Sequence, residues 1–262
     1  DKPMIYYPLS TMLELGVKDI LIITTKEDVV NFQKLFGNGN GLGIRISYEI
    51  QNEPNGIAEA LIIGEKFLNK NPCAFILGDN LFIGKIVNND IKKSFVKQNG
   101  ATIFTYKVHD PERYGVVCFN SKGQPCKIVE KPNRHLSEHA ITGLYLFDKN
   151  ASNIAKSIKP SKRNELEISD VNSFYLKNNL LRVIKLAPNV TWLDAGTVSS
   201  FYQASNFVGA LEKRTGKKIG CIEEISYENK YINLEKLKEI RMKYSNSKYG
   251  TYLQNLIDKN SS

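Results

Sequence analysis

Ala74-Phe75-Ile76-Leu77-Gly78-Asp79-Asn80 is the stretch on which the fold turns. An apolar run that ends in a glycine and then a carboxylate reads as a buried strand stopping at an acid. In open α/β sheets, ligands bind beyond the carboxyl ends of the strands, which puts Asp79 at the mouth of a site. A second acid has a similar setting in Thr191-Trp192-Leu193-Asp194-Ala195-Gly196-Thr197. Two separated carboxylates in a chain with three histidines point to a hard, oxygen-liganded cation such as Mg²⁺. Such an ion works chiefly on phosphates.

Upstream of this stretch the elements alternate. Residues 4–15 read as a helix stopped by Gly16, with Pro8 as a kink or a late start. Asp19 to Thr24 reads as a strand, Glu27 to Phe36 as a helix and Ile44 to Gln51 as a strand. Ile57 to Leu68 reads as a helix and Cys73 to Leu77 as the next strand. Short links between them predict parallel pairing in a doubly wound sheet. Gly37 to Gly43 is glycine-rich but fails the G-x-G-x-x-G spacing and follows a helix, so it reads as a connecting turn.

Downstream the pattern changes. Residues 101–108, 115–120, 126–130 and 140–147 are strand-like, with hairpin-turn chemistry from Asn120 to Pro125. An antiparallel portion is therefore attached to the parallel core. Residues 148–158 and 168–178 read as helices, 181–186 and 190–193 as strands, and 199–214 as the clearest helix. The chain divides into a core over 1–215 and a helical tail over 216–262. The tail scatters Ile219, Ile222, Ile225, Leu234, Leu237, Leu253 and Leu256 among many charges. It is expected to be too polar for a core of its own, and to cover the main domain or another subunit.

Composition narrows the function. With 42% hydrophobic residues in 262, there is ample core for one large domain and an appendage. No apolar run reaches the length of a membrane span, and no leader pattern opens the sequence. Cys73, Cys118, Cys126 and Cys221 lack C-x-x-C spacing, which argues against zinc and fits a reduced, cytoplasmic compartment. Cys118 and Cys126 flank a turn, and spacing alone does not make that a disulfide. The net charge of +9 comes from scattered lysines, which decorate exposed faces and favour small anionic substrates over nucleic acid.

Several short motifs allow two readings each. Gln51-Asn52-Glu53-Pro54-Asn55-Gly56 joins a strand end to a helix. Gln51 offers a donor and an acceptor to a pyrimidine edge, and Gly56 lets a flat base approach; the same residues also make an ordinary loop. Glu130-Lys131-Pro132 follows an apolar strand, and its acid and lysine suit sugar hydroxyls and a phosphate or a plain surface ion pair. In Lys162 to Asp170, Arg163 suits a bidentate phosphate clamp or a solvated loop, and Ser169 or Asp170 is placed to cap a helix. His135 and His139 lie four apart, in a stretch that reads as a loop.

Taken in order, Asp1 to Leu9, Leu77-Gly78-Asp79-Asn80, Tyr114-Gly115-Val116-Val117, Val129-Glu130-Lys131-Pro132, Thr142-Gly143-Leu144-Tyr145, Glu165-Leu166-Glu167-Ile168 and Trp192 to Thr197 are far more specific than any one alone. This ordered set resembles the glucose-1-phosphate thymidylyltransferases, or dTDP-glucose pyrophosphorylases, over essentially the whole chain. The resemblance implies a Rossmann-like mixed, mostly parallel α/β sheet flanked by helices, with an antiparallel sugar-binding portion and a helical C-terminal tail. It implies an enzyme that joins dTTP and α-D-glucose 1-phosphate into dTDP-glucose and pyrophosphate with Mg²⁺, early in dTDP-rhamnose and polysaccharide synthesis.

By position, Asp79 and Asp194 would hold the metal, and Gln51 and Gly56 would meet the thymine. Asn80, Tyr114, Gly115, Glu130 and Ile141 would line the sugar pocket, with Trp192 beside the metal acid. Lys131 and Arg163 would bind the sugar phosphate. The resemblance also implies a homotetramer with a feedback site near Gly84, Gly220 and Cys221. Members of this family open with a central strand, a G-G-x-G-T-R-L-type loop and a catalytic lysine just upstream of the segment that begins at Asp1. The natural protein is expected to carry them, and residues 1–262 alone are expected to be inactive. Two other readings stay open: a UTP-using or other sugar-1-phosphate nucleotidyltransferase, and a non-catalytic nucleotide-sugar sensor.

Overall fold

The computed structural model describes residues 1–86 and 89–261. Helix α1 (Tyr6–Leu15) buries nearly every residue and stops at Gly16, whose φ of 90° lets its N–H turn back onto Leu13 and Met12. Pro8 sits in the first turn, where its missing N–H leaves no intrahelical bond unmade, so the helix starts two residues late. Strands β1 (Asp19–Thr24) and β2 (Arg45–Ile50) flank α2 (Val29–Phe36) and pair in parallel, Asp19 opposite Arg45. Gly39 and Gly43 take positive φ in the turn that follows α2. The expected helix over 57–68 is split at Gly64 into α3 (Glu59–Ile63) and α4 (Glu65–Leu68).

Strand β3 (Cys73–Ile76) departs from the expected parallel run. It pairs antiparallel with the long β8 (His139–Phe147), not with β1. Between β1 and β3 lies an apolar cleft of about 710 Å³. Every residue of β1 from Asp19 to Ile23, and every residue from Cys73 to Gly78, lines it. Side chains alternate across a strand, so an unbroken lining run means that strand edges face the cleft.

Asp79 ends this segment, and the chain at once re-enters a short strand that the sequence did not announce, β4 (Asn80–Ile83). Then come α5 (Asn89–Val96), β5 (Ala101–Lys107), the hairpin of β6 (Val116–Phe119) and β7 (Pro125–Val129), and β8. Helices α6 (Ala151–Ser157) and α7 (Ile168–Lys177) precede β9 (Leu181–Lys185) and β10 (Thr191–Asp194). The largest sheet runs β7-β6-β8-β5-β9, with β3 attached to β8. Its β5–β9 pair is parallel, and β10 closes antiparallel onto β4, Asp194 opposite Asn80. All four cysteines are free thiols, and Cys126 Sγ faces the Cys118 carbonyl rather than its sulfur.

After α8 (Val198–Thr215), the tail folds as α9 (Ile222–Glu228), α10 (Leu234–Met242) and α11 (Lys248–Ser261). Cys221, Ile232, Leu237, Ile240, Tyr249, Leu253 and Ile257 form a buried cluster drawn from the tail alone. This corrects the expectation that the tail lacks a core. Three short amphipathic helices turned inward pool enough apolar surface, where a single one does not. The tail also docks on the core: Ile222 packs with Tyr6, Leu9 and Leu13, and Asn229 donates to the Leu13 carbonyl. No helix among the described residues is long and apolar enough to cross a membrane.

Candidate active site

The pairing of β4 with β10 brings the two predicted acids together across 115 positions of sequence, from Asp79 to Asp194. Ala195 N–H donates to the Asp79 carbonyl at 2.9 Å, and Gly196 N–H donates to Asp194 Oδ1 at 3.0 Å. Gly196 is a glycine for a visible reason. A Cβ there would stand 2.7 Å from Asp79 Oδ2 and 3.1 Å from Asp194 Oδ1, so both carboxylates crowd one point. Burial and the neighbouring Asp79 charge raise the Asp194 carboxyl above its ordinary range, while Gly196 N–H, Arg113 and Lys131 pull it back.

Asn80 and Trp192 stand behind this pair. Asn80 is buried; its Nδ2 donates to Asp79 Oδ1 at 2.8 Å, and its Oδ1 accepts from Trp192 Nε1 at 2.6 Å and Gly143 N–H at 2.9 Å. Gly143 cannot carry a side chain, since a Cβ would meet Asn80 within 2.6 Å. Trp192 packs edge-on against Tyr106 and Tyr114. The pair therefore orients Asp79 from inside the protein. A further cation that the sequence reading did not single out lies here: Arg113 reaches to 3.9 Å from Asp194 Oδ2, bonds Asp110 at 2.9 Å and lies over the Tyr114 ring.

On the other flank, Glu130 accepts a short hydrogen bond from Ser169 Oγ. Ser169 is thus committed to the acid and does not cap α7; the residue preceding that helix, Glu167, makes no side-chain cap either. Gly115 lies so close that a Cβ would meet Ser169 Oγ and Glu130 Oε2 within 3 Å. Burial raises the Glu130 carboxyl. Ile141 is buried beside Gly115, whose carbonyl accepts its N–H at 2.7 Å. Lys131, exposed and at φ 39°, donates its backbone N–H to Tyr114. Arg163, though exposed, lies 2.8 Å from Glu167, 3.2 Å from Glu165 and 3.9 Å from Glu130.

Gln51 lines the cleft beside β1, and its Nε2 donates to the Gly56 carbonyl at 3.2 Å. Gly56 has φ 105°, and a Cβ there would strike the Leu166 backbone at 2.5 Å. The glycine is required by its contact with the loop before α7, whatever else approaches it. Gly84, Gly220 and Cys221 each have a local reason as well. A Cβ at Gly84 would meet the Asn189 carbonyl, one at Gly220 would meet the Tyr7 ring, and Cys221 is 2% exposed in the tail core. His139 opens β8 and packs edge-on against Phe119. No group of three or more His, Cys, Asp or Glu residues poised for a metal occurs among the described residues.

The fold thus sets two carboxylates together, Asp79 just before β4 and Asp194 at the end of β10, with Lys131 acting on Asp194 and Arg163 beside Glu130. The nucleotidyl transferase family pattern matches residues 1–210, and the chain belongs to that family. Among its relatives is the glucose-1-phosphate thymidylyltransferase of Neisseria meningitidis, 44% identical over 99% of this chain and 90% of its own length. That of Mycobacterium tuberculosis is 40% identical over 99% of this chain and 90% of its own. A Bacillus anthracis structure assigned to the same enzyme, in complex with sucrose, superposes with a TM-score of 0.72 at 36% identity, over 78% of this chain and 82% of that one. A UDP-glucose pyrophosphorylase bound to UDP-glucose gives 0.68 at 25% identity, over 81% and 88%.

Proposed function

We propose that this protein transfers a thymidylyl group from dTTP to α-D-glucose 1-phosphate, releasing pyrophosphate. The observation that carries the reading is the meeting of Asp79 and Asp194 at Gly196, in a chain whose relatives bear that enzyme's name. A phosphate oxygen of the sugar phosphate attacks the α-phosphorus of dTTP. The new P–O bond forms as the bond to the β-phosphate oxygen breaks, and pyrophosphate leaves with that electron pair. The attacking oxygen is already anionic at neutral pH, so the reaction needs alignment and charge neutralisation rather than a base.

Two adjacent carboxylates fit Mg²⁺, which prefers one or two protein acids and completes its shell with water and substrate phosphate. Asp79 and Asp194 would hold it, and it would supply charge neutralisation on the triphosphate. Asn80 keeps Asp79 aimed through the 2.8 Å bond from its Nδ2. Lys131 and Arg163 take the sugar phosphate, for which Arg163 exchanges carboxylate partners for phosphate oxygens. Glu130 accepts from sugar hydroxyls, beside Tyr114, Gly115 and Ile141. Gln51 and Gly56 meet the base.

The cleft between β1 and β3 suits one further strand, whose backbone would complete both open edges. The tail and core together would form a homotetramer in the cytoplasm, inhibited by a downstream dTDP-sugar and feeding dTDP-rhamnose synthesis. Full-length protein given dTTP, glucose 1-phosphate and Mg²⁺ should release pyrophosphate and form dTDP-glucose, and light scattering should give four copies. Faster turnover with UTP than with dTTP would replace the nucleotide in this reading. Binding of nucleotide-sugar without turnover of any triphosphate would replace the enzyme with a sensor.

A further inference from the structure

Gln51 follows the strand β2, and its backbone N–H donates to the Thr24 carbonyl at 2.9 Å. Its side chain is held in an unusual way. Nε2 donates to Glu59 Oε2 at 2.6 Å and to the Gly56 carbonyl at 3.2 Å. The other Glu59 oxygen accepts from Asn55 Nδ2 at 2.9 Å. The two ends of an amide look alike in outline, and only the partners decide which way it points. Here the partners are a carboxylate and a backbone carbonyl, and both accept only. The nitrogen must therefore face them, and its two hydrogens are both used. What remains free is Oε1, an acceptor.

We propose that Glu59 is a positioning residue for base selection: it fixes the Gln51 amide so that only its oxygen is offered to the nucleotide base. This rests on the nucleotidyl-transfer reading and deepens it. A lone acceptor recognises a ring N–H. Thymine and uracil carry one at N3, whereas cytosine presents a lone pair at N3. Two acceptors facing each other leave both unpaired in a partly dry site, which is costly. The selected class is thus keto-pyrimidine nucleotides, with no distinction between thymine and uracil at this contact. Asn55 clamps the far side of the Glu59 carboxylate, so the acid cannot swing away without losing a second bond. The first turn of α3, where Glu59 sits, sets its height above the loop.

The test compares Glu59→Gln with the parent in full-length protein, using dTTP and dCTP. A glutamine keeps the shape but offers either an oxygen or a nitrogen, which frees Gln51 to turn over. The ratio of kcat/KM for dTTP over dCTP should fall about tenfold or more, while kcat with dTTP stays within about twofold. An unchanged ratio overturns the proposal, as does an equal loss with both nucleotides, which is what a merely structural role would produce. A second readout does not depend on turnover. The Gln51 side-chain amide protons, followed by ¹⁵N NMR, should exchange slowly in the parent and faster in Glu59→Ala. If the parent uses no pyrimidine triphosphate, the functional reading fails, and an unmoved Gln51 signal in Glu59→Ala then overturns this inference separately.

Discussion

Two carboxylate clusters in this molecule show opposite uses of the same group. Asp79, just before β4, and Asp194, at the end of β10, meet with the Asp194 side chain 22% exposed and Lys131 and Arg113 acting on it. Glu223, in the tail, is 2% exposed. One of its oxygens takes a short hydrogen bond from Tyr249 and the other faces Tyr244, with Cys221 Sγ 3.7 Å away. The first cluster is partly exposed and crowds two carboxylates at one point. The second spends its acceptors on tyrosine hydroxyls and is closed. Burial with saturated partners makes an acid a structural knot; partial exposure with crowded charge is the setting in which ligand sites are built.

The sharpest way to break this contrast is to neutralise each side. Asp79→Asn or Asp194→Asn, in full-length protein, should lower kcat by about a hundredfold or more, since charge stabilisation of this kind is worth several kcal/mol. The far-ultraviolet circular dichroism should stay that of the parent. Near-parental kcat at ordinary Mg²⁺ in either variant would remove the pair from the chemistry.

A smaller effect is expected at the cation beside the pair. Lys131→Met should raise KM for glucose 1-phosphate about tenfold and leave KM for dTTP nearly unchanged. Initial rates with each substrate varied in turn measure both. Equal weakening of the two would make Lys131 a structural residue of the β7 end.

The smallest effect belongs to the tail. Burial holds the Glu223 carboxyl above its ordinary range, outweighing the tyrosine bonds that favour its ionised form. An acid whose folded pKa lies above its unfolded value binds its proton more tightly in the native state. Stability is therefore lost as pH rises from the ordinary carboxylate range through the folded pKa. Glu223→Gln removes that loss. As pH rises from the ordinary carboxylate range, its Tm should fall a few degrees less than that of the parent, with kcat untouched. Glu14, which burial pushes up to about 7, titrates in both proteins and cancels in the comparison. Parallel Tm profiles would mean that Glu223 is not the closed acid described here.

Much of this was legible in one dimension. Hydrophobic runs bounded by Gly and Pro placed β1 at Asp19–Thr24 to the residue and located α8 within one residue at each end, because strand and helix periods are local properties of the chain. That Asp79 and Asp194 each follow an apolar run was legible too. Pairing was not. That β3 joins β8 and leaves an open edge toward β1 depends on contacts some 70 residues apart, as in Cys73 opposite Phe147. Nor could a polar, scattered tail announce that α9, α10 and α11 would pool their apolar faces into one core.

The chain itself supplies the candidates: two carboxylates after apolar runs, and a lysine and an arginine in motifs that resemble those of the family. The folded arrangement supplies their partners. It set Asn80 and Trp192 behind Asp79, tied Arg163 to Glu167, and turned Gln51 toward Glu59. The reason is physical. Periodicity and turn chemistry act between neighbours in the chain, whereas the direction of a buried amide or the partner of a guanidinium follows from which distant groups arrive within 3 Å.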